Sequence, residues 1–364
     1  MAPLLSYHPF KAIATIFLIC GLPPYLLLLS LFSIRRSWRP IPQWSLGTVI
    51  ATKAIQVLFK HYTRIRYQAL PMTKPGTFGD RFVLVQPGPA DKYEGVLKAS
   101  NIKPTSMPAT WFPKRYNGED VTVILHFQGG AYVTAPKPKD TGPVASKPYE
   151  KQLGAFTFFA QYRISRGDTS RFPAALQDAV TFYSHLLDSG IKPSNIILAG
   201  DSAGGNLVLA LLRYIEDHKP EHLLPAPRGA ILWSPWVDLS EAAPQKYEGS
   251  KQLNSDFISL PLIQWGKDSF RPTQSSEEIE PYLSPAQFPF SCSVPIVIQI
   301  GTAELLFDDV KAFARKMAEV EGNKVLYEET PHAPHDIILS GNATGFEKET
   351  DETVRKAGEF FGIE

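Results

Sequence analysis

Acidic side chains are missing from the first 79 residues of this 364-residue chain; the first is Asp80. The same stretch carries nine Lys and Arg. The formal net charge of +1 therefore hides a basic front on a body with 28 basic and 36 acidic residues. An acidic body excludes the broad basic face that a nucleic-acid binder works with. Cysteine is scarce: Cys20 and Cys292 are the only two. They cannot build a disulfide framework, and no C-x-x-C pair exists for zinc or redox work. No internal repeat is present. The apolar content of 44% excludes a wholly disordered chain, and the length suits one large α/β domain or two small ones.

What the front has instead is a long uncharged run. Residues 12–34 read AIATIFLICGLPPYLLLLSLFSI, with Lys11 before and Arg35, Arg36 and Arg39 after. Twenty-three residues at about 1.5 Å each reach roughly 34 Å as a helix, enough to cross a hydrocarbon core of about 30 Å. Pro23 and Pro24 would kink it at mid-depth. A cleaved signal peptide or a buried helix are the competing readings. The run is long for a signal peptide and is followed by Arg-Arg rather than a small-x-small cleavage site, so an uncleaved anchor is expected. The three arginines point the body to the cytoplasm, whereas the sequon Asn342-Ala-Thr344 would point it to the lumen. Residues 46–67 form a basic amphipathic stretch, with Leu46, Ile50, Val57, Leu58, Tyr62 and Ile65 at helical spacing. Such a helix either lies on an anionic membrane surface or packs over the body with a solvated basic face.

Residues 71–120 are rich in Pro and Gly and read as loops around one strand, RFVLVQ at 81–86. From Val121 short apolar runs alternate with helical patterns. Strands are expected at 121–127, 155–162, 195–200, 229–234, 295–301 and 324–329. Helices are expected at 174–189, 203–217, 306–320 and from about 347. Continuous apolar strands between helices indicate an α/β fold with a mostly parallel sheet covered by helices on both faces. Residues 240–290 interrupt the alternation as an insertion over the sheet.

The sharpest motif is Gly200-Asp201-Ser202-Ala203-Gly204 between an apolar strand and a helical run. Flanking glycines suit a strained strand-to-helix turn that lifts the serine hydroxyl clear of the sheet, while the helix N-terminus offers N–H groups to developing negative charge. A second motif, His126-Phe127-Gln128-Gly129-Gly130-Ala131, follows an earlier strand and can present bare N–H groups to an oxyanion.

Together with QYRIS and RFPAALQDA (171–179), SPWVDLS (234–240), GTAELLFDD (301–309) and HAPHD (332–336), these motifs resemble the hormone-sensitive-lipase-like branch of the α/β-hydrolase fold. The chain is most similar there to fungal membrane-anchored serine esterases. The motifs span roughly residues 120–340 in the family's order. The resemblance implies an α/β-hydrolase fold with a helical cap. It also implies the triad order Ser, acid, His: Ser202 as nucleophile, Glu304 as acid and His335 as base. Asp308 and Asp309 compete for the acid, and His332 for the base. Gly129, Gly130, Ala131 and Ala203 form the expected oxyanion hole, with Gly130, Ala131 and Ala203 as donors by register. Two positions depart from the family pattern. Glu304 stands where Asp is usual, and Gln128 stands where His precedes the glycines. His126, His185, His218 and His222 read as structural or surface residues.

The expected organisation is a membrane anchor over 1–40, an amphipathic helix and cap or entry region over 41–120, and a catalytic domain over 121–364 with a cap insertion at about 240–290. The expected protein is a single-pass endoplasmic-reticulum membrane enzyme. It would hydrolyse a lipophilic short-chain ester, such as a steryl, terpenoid or secondary-metabolite acetate, through an acyl-enzyme. It would have no cofactor, no metal and no nucleic-acid partner. The same triad would serve an acyltransferase or thioesterase, and a non-catalytic binding protein would be expected to have lost it.

Overall fold

A computed structural model describes residues 3–99, 101–219, 224–274 and 276–363. Its centre is one eight-stranded sheet in the order β1-β2-β4-β3-β5-β6-β7-β8. The strands are β1 (Phe82–Val85), β2 (Met107–Phe112), β3 (Val123–Phe127), β4 (Phe156–Ala160), β5 (Ile196–Asp201), β6 (Gly229–Trp233), β7 (Ile296–Gly301) and β8 (Val325–Thr330). Only β2 runs against its neighbours, antiparallel to β1 and β4; β4 through β8 are parallel.

The sheet divides two cores by the period-two alternation of its side chains. Leu198 of β5 and Leu232 of β6 face one core, while Ile197 and Ile231 face the other. The first core is closed by α4 (Ala174–Asp188), α5 (Ala203–Asp217) and α9 (Phe307–Glu319). The second is closed by α3 (Pro138–Leu153), α10 (Ile337–Thr344) and α11 (Glu347–Phe360). This is the expected α/β-hydrolase arrangement, a mostly parallel sheet with helices on both faces.

Three elements depart from the sequence expectation. β2 lies in a stretch expected to be loop, because Pro108 breaks the ladder pattern. All six of its residues are nevertheless buried. Pro143 and Pro148 mask α3 in the sequence. Packing overrides them: Ala145, Pro148 and Tyr149 are buried, and Ala145 and Tyr149 join the core that holds Val354 and Ala357 of α11. α10 has no helical stripe of apolar residues to mark it: its buried side combines Ile337 and Ile338 with Ser340, Gly341 and Thr344, while Asn342 and Ala343 are exposed.

The front of the chain forms two long helices. α1 (Phe10–Phe32) is apolar, contains Pro23 and Pro24, and buries none of its residues. By length and composition it is the one described helix able to cross a membrane. The linker then folds back, with Arg39 donating to the Ser33 and Trp44 carbonyls at 2.8 and 2.5 Å. α2 (Leu46–Arg64) starts at the N-cap Ser45, whose hydroxyl accepts from the Thr48 N–H. This helix packs over the body through a largely polar face, and Leu46, Ile50, Val57, Leu58 and Tyr62 stay half-buried. Thr48, Val49, Thr52, Gln56 and His61 are buried, while Lys60 and Arg64 are exposed. The insertion forms α6 (Ala243–Lys246), α7 (Leu260–Phe270) and α8 (Glu280–Leu283). α2 crosses onto α7, so the cap draws on both the front and the insertion.

Candidate active site

Ser202 sits between β5 and α5 at φ 52° and ψ −116°. This strained conformation is unusual for a residue with a Cβ. It is held by the Ser202 N–H donating to the Trp233 carbonyl at 2.8 Å and by the Ser202 carbonyl accepting from Trp236 N–H at 2.9 Å. The turn closes only because its flanks are glycine. A Cβ on Gly204 would run into the Phe127 carbonyl, and one on Gly200 into the Gly204 carbonyl.

The glycine loop faces this turn from the end of β3. Gly130, Ala131 and Tyr132 have φ of 114°, 52° and 60°. Two consecutive non-glycine residues at positive φ need external support. The Gly130 carbonyl accepts from Val133 and Thr134 N–H, and the Tyr132 hydroxyl donates to Asn206 at 2.7 Å. The Tyr132 ring also stacks on Phe270 of α7 at 3.6 Å. Gly129 N–H donates to the Asp201 carboxylate at 2.6 Å, so it is engaged inside the protein. The N–H groups of Gly130, Ala131 and Ala203 have no acceptor among the described residues. Of the four oxyanion-hole residues expected, these three can serve a ligand and Gly129 anchors the loop.

His335 lies in the loop after β8. Its Nδ1 is 2.7 Å from Glu304 Oε2. Glu304 is fully buried in the turn after β7, and its other oxygen accepts from Ser234 Oγ at 2.7 Å and Gly301 N–H at 2.5 Å. The longer glutamate thus reaches the imidazole with one oxygen while the other accepts two hydrogen bonds. Asp308 and Asp309 lie in the first turn of α9, where Asp309 accepts from Tyr247 at 2.5 Å and pairs with Lys246 at 3.5 Å. His332 is solvent-exposed, its backbone tied to Thr302 Oγ1 and to Trp44. His126 is buried against Asp201, His185 stacks on Phe158, and His218 bonds back to Tyr214. His222 lies outside the described residues.

Burial pushes the Glu304 carboxyl up to about 7, against the pull of His335. Burial disfavours the charged imidazole of His335, but its hydrogen bond to Glu304 and the Glu304, Asp256 and Asp201 charges outweigh that and raise its pKa. Asp336, at φ 57°, is held well above the carboxylate range by burial and by the neighbouring Asp201 and Glu304 charges.

Ser202, His335 and residues 129–131 line one cavity of about 50 Å³. Ser202 Oγ and His335 are not hydrogen-bonded to each other; catalytic contacts of this kind often tighten only on substrate binding. The remaining walls are mostly apolar: Phe59 of α2, Trp236, Phe257, Ile258, Leu262 and Ile263. Four of these, Phe257, Ile258, Leu262 and Ile263, belong to the insertion at 240–290. Trp265 and Phe270 do not reach the cavity; Arg66 stacks on the former and Tyr132 on the latter.

Sequence reasoning missed several contributors. Phe59 comes from the front of the chain, and Trp44 Nε1 donates to the His332 carbonyl at 2.6 Å. Asp256 lies with Glu304 and His335 in a buried group whose ligand-type atoms are all within 4.8 Å. Its oxygens accept from Leu305 and Ile258 N–H at 2.6 and 3.1 Å, so the group is an internally bonded network. No local signal in residues 240–290 marks Asp256. The Gly129 anchor was more legible, since Asp201 stands inside the serine motif itself.

Residues 124–339 match the model of the alpha/beta hydrolase fold family. An acetyl-hydrolase of Streptomyces hygroscopicus is 31% identical over 62% of this chain and 71% of its own length. An esterase of Acinetobacter venetianus is 32% identical over 41% of this chain and 47% of its own length. The structure of an esterase from the bacterial hormone-sensitive lipase family has the same fold, with a TM-score of 0.61 and 21% identity over 87% of this chain and 97% of its own. The strained serine turn, the parallel sheet that carries it and the matched segment agree: the chain belongs to the alpha/beta hydrolase fold family.

Proposed function

We propose that the protein is a carboxylic ester hydrolase of the hormone-sensitive-lipase-like branch that works through an acyl-enzyme. The observation that carries this is the arrangement of Ser202 and His335 in a mostly apolar cavity, with Glu304 bonded behind His335 and three unengaged N–H groups beside Ser202. His335, oriented by Glu304, takes the Ser202 proton as Oγ attacks the acyl carbonyl. The N–H groups of Gly130, Ala131 and Ala203 stabilise the oxyanion, a donor of this kind being worth about 2.7–4 kcal/mol. The alcohol leaves with the proton from His335. Water then attacks the acyl-serine by the same route and releases the acid.

A cavity of about 50 Å³ holds only a few atoms beyond the reacting carbonyl. That size supports a short acyl group, while the apolar front and insertion around it favour a lipophilic alcohol, such as a sterol or terpenoid, lying outside this cavity. The acetyl-hydrolase among the relatives is consistent with acetate. We read residues 1–40 as a single-pass anchor, 41–120 as the entry region and 121–364 as the catalytic domain. The arginines after α1 favour a cytoplasmic body. The sequon points the other way, since Asn342 is exposed on α10.

The test uses p-nitrophenyl esters of increasing chain length. We expect highest turnover on acetate and butyrate and a loss of at least about 10³-fold in Ser202→Ala. Release that does not depend on Ser202 would reject the reading. Adding acceptor alcohols and finding ester products would redirect it to acyl transfer.

A further inference from the structure

The insertion sends a carboxylate into the triad from outside it. Asp256 lies between the short helix Lys251–Asn254 and α7, and none of it is exposed. One oxygen of Asp256, one of Glu304 and a ring nitrogen of His335 all lie within 4.8 Å of one another. Two bonds from this loop bracket Glu304. Asp256 Oδ2 accepts from Leu305 N–H at 2.6 Å, and Ser255 Oγ donates to the Ala303 carbonyl at 2.8 Å. Asp256 Oδ1 accepts from Ile258 N–H at 3.1 Å, which closes a tight turn onto the cavity wall. The loop is also held from α2, where Gln56 Nε2 donates to the Leu253 and Asp256 carbonyls at 3.1 and 2.7 Å.

A buried carboxylate is costly unless a cation or a set of donors offsets its charge. Asp256 has no Lys or Arg partner among the described residues. Lys53 of α2 donates instead to the Asn254 carbonyl and to Gln56 Oε1, at 2.7 and 3.0 Å. Both Asp256 oxygens accept from backbone N–H groups, which is the bonding of an ionised carboxyl. The cation left to face it is the imidazolium of His335. Burial raises the Asp256 carboxyl, while the His335 charge and the N–H groups of Leu305, Ile258 and Phe257 pull it down. Burial lowers the His335 imidazole, and Glu304, Asp256 and Asp201 more than reverse this. Asp336, the remaining acid beside His335, is held well above the carboxylate range by burial and by Asp201 and Glu304.

We propose that Asp256 is a positioning residue for the triad: its fixed carboxylate holds the turn that carries Glu304 and faces the imidazolium that His335 becomes while it carries the Ser202 proton. Asp256 exchanges no proton itself. The proton passes from Ser202 Oγ to His335 and on to the leaving alcohol, and the negative charge of Asp256 favours the state in between. The inference rests on the acyl-enzyme reading above.

The test is kcat/KM for p-nitrophenyl acetate against pH, with the full chain in maltoside detergent. Wild type is compared with Asp256→Asn, Asp256→Ser and Gln56→Leu. Asp256→Ser keeps an acceptor for the Ile258 N–H and removes the charge. Gln56→Leu loosens the same loop and leaves the charge in place. Removing a negative charge beside the imidazole lowers its pKa. The acid limb of both neutral variants should therefore move to lower pH by about one pH unit, with plateau kcat reduced at least about tenfold. The limb of Gln56→Leu should stay where it is. Melting curves check that each variant folds; if one neutral variant does not, the other decides. A wild-type limb in the folded neutral variants overturns the proposal, as does an equal displacement in Gln56→Leu. Loss of the fold in both neutral variants also overturns it, since Asp256 would then be a structural acid only. No Ser202-dependent turnover in wild type would sink the acyl-enzyme reading and this proposal with it; with turnover present, the variants judge Asp256 alone.

Discussion

At the residue scale, the buried Glu304–His335 pair sets how the site responds to pH. Burial raises Glu304 to about 7, and Glu304 raises His335 above its ordinary 6.5. Both shifts make the pair hold a proton up to neutrality. In the proposed mechanism the working form is ionised Glu304 with neutral His335, so it is gained as pH rises and lost as pH falls. We expect kcat/KM to climb through an apparent pKa above 6.5. Glu304→Gln removes the charge that raises the imidazole. Its apparent pKa should therefore fall, and its kcat should drop by about 10²–10⁴. Asp308→Asn should leave both unchanged, since that carboxylate belongs to the first turn of α9. A pH–rate profile of the three proteins reads all of this at once.

At the element scale, the loop after β4 is fixed to α4 by a buried ion pair. Asp178 is fully buried and accepts from the Arg163 backbone N–H at 2.7 Å and from its guanidinium at 2.8–2.9 Å. Arg163→Ala should destabilise the fold by about 3–5 kcal/mol at pH 7, because a buried carboxylate is left without its cation. The loss in a urea titration should shrink near pH 5. Burial already lifts Asp178 to about 6 with Arg163 present, so without it the carboxyl is neutral there. Elements were legible in the sequence where one rule governed them. The parallel strands are apolar runs that both cores demand, and the serine turn is a local motif needing glycine on both sides. β2 and α3 were hidden because Pro108, Pro143 and Pro148 obey packing rather than propensity. Phe59, Trp44 and Asp256 were hidden for another reason. Each reaches the site across more than 45 residues of chain, and nothing in its own neighbourhood records that contact.

For the whole molecule, α1 and α2 tie a candidate membrane span to the body. Thr15 of α1 meets His61 of α2 at 3.1 Å, and Leu29 packs with Trp44, Val49 and Ala303. If α1 anchors the chain, the full protein should stay in the pellet after an alkaline carbonate wash. A chain beginning at residue 40 should move to the supernatant. The first stretch of the chain, free of acids, also supplies Phe59 to the catalytic cavity and Trp44 to the loop that carries His335. If α1 is an anchor, location and choice of ester are written in one stretch of sequence. Exchanging this front for a foreign anchor would not merely relocate the protein, because it would open one side of the cavity and change which esters it accepts.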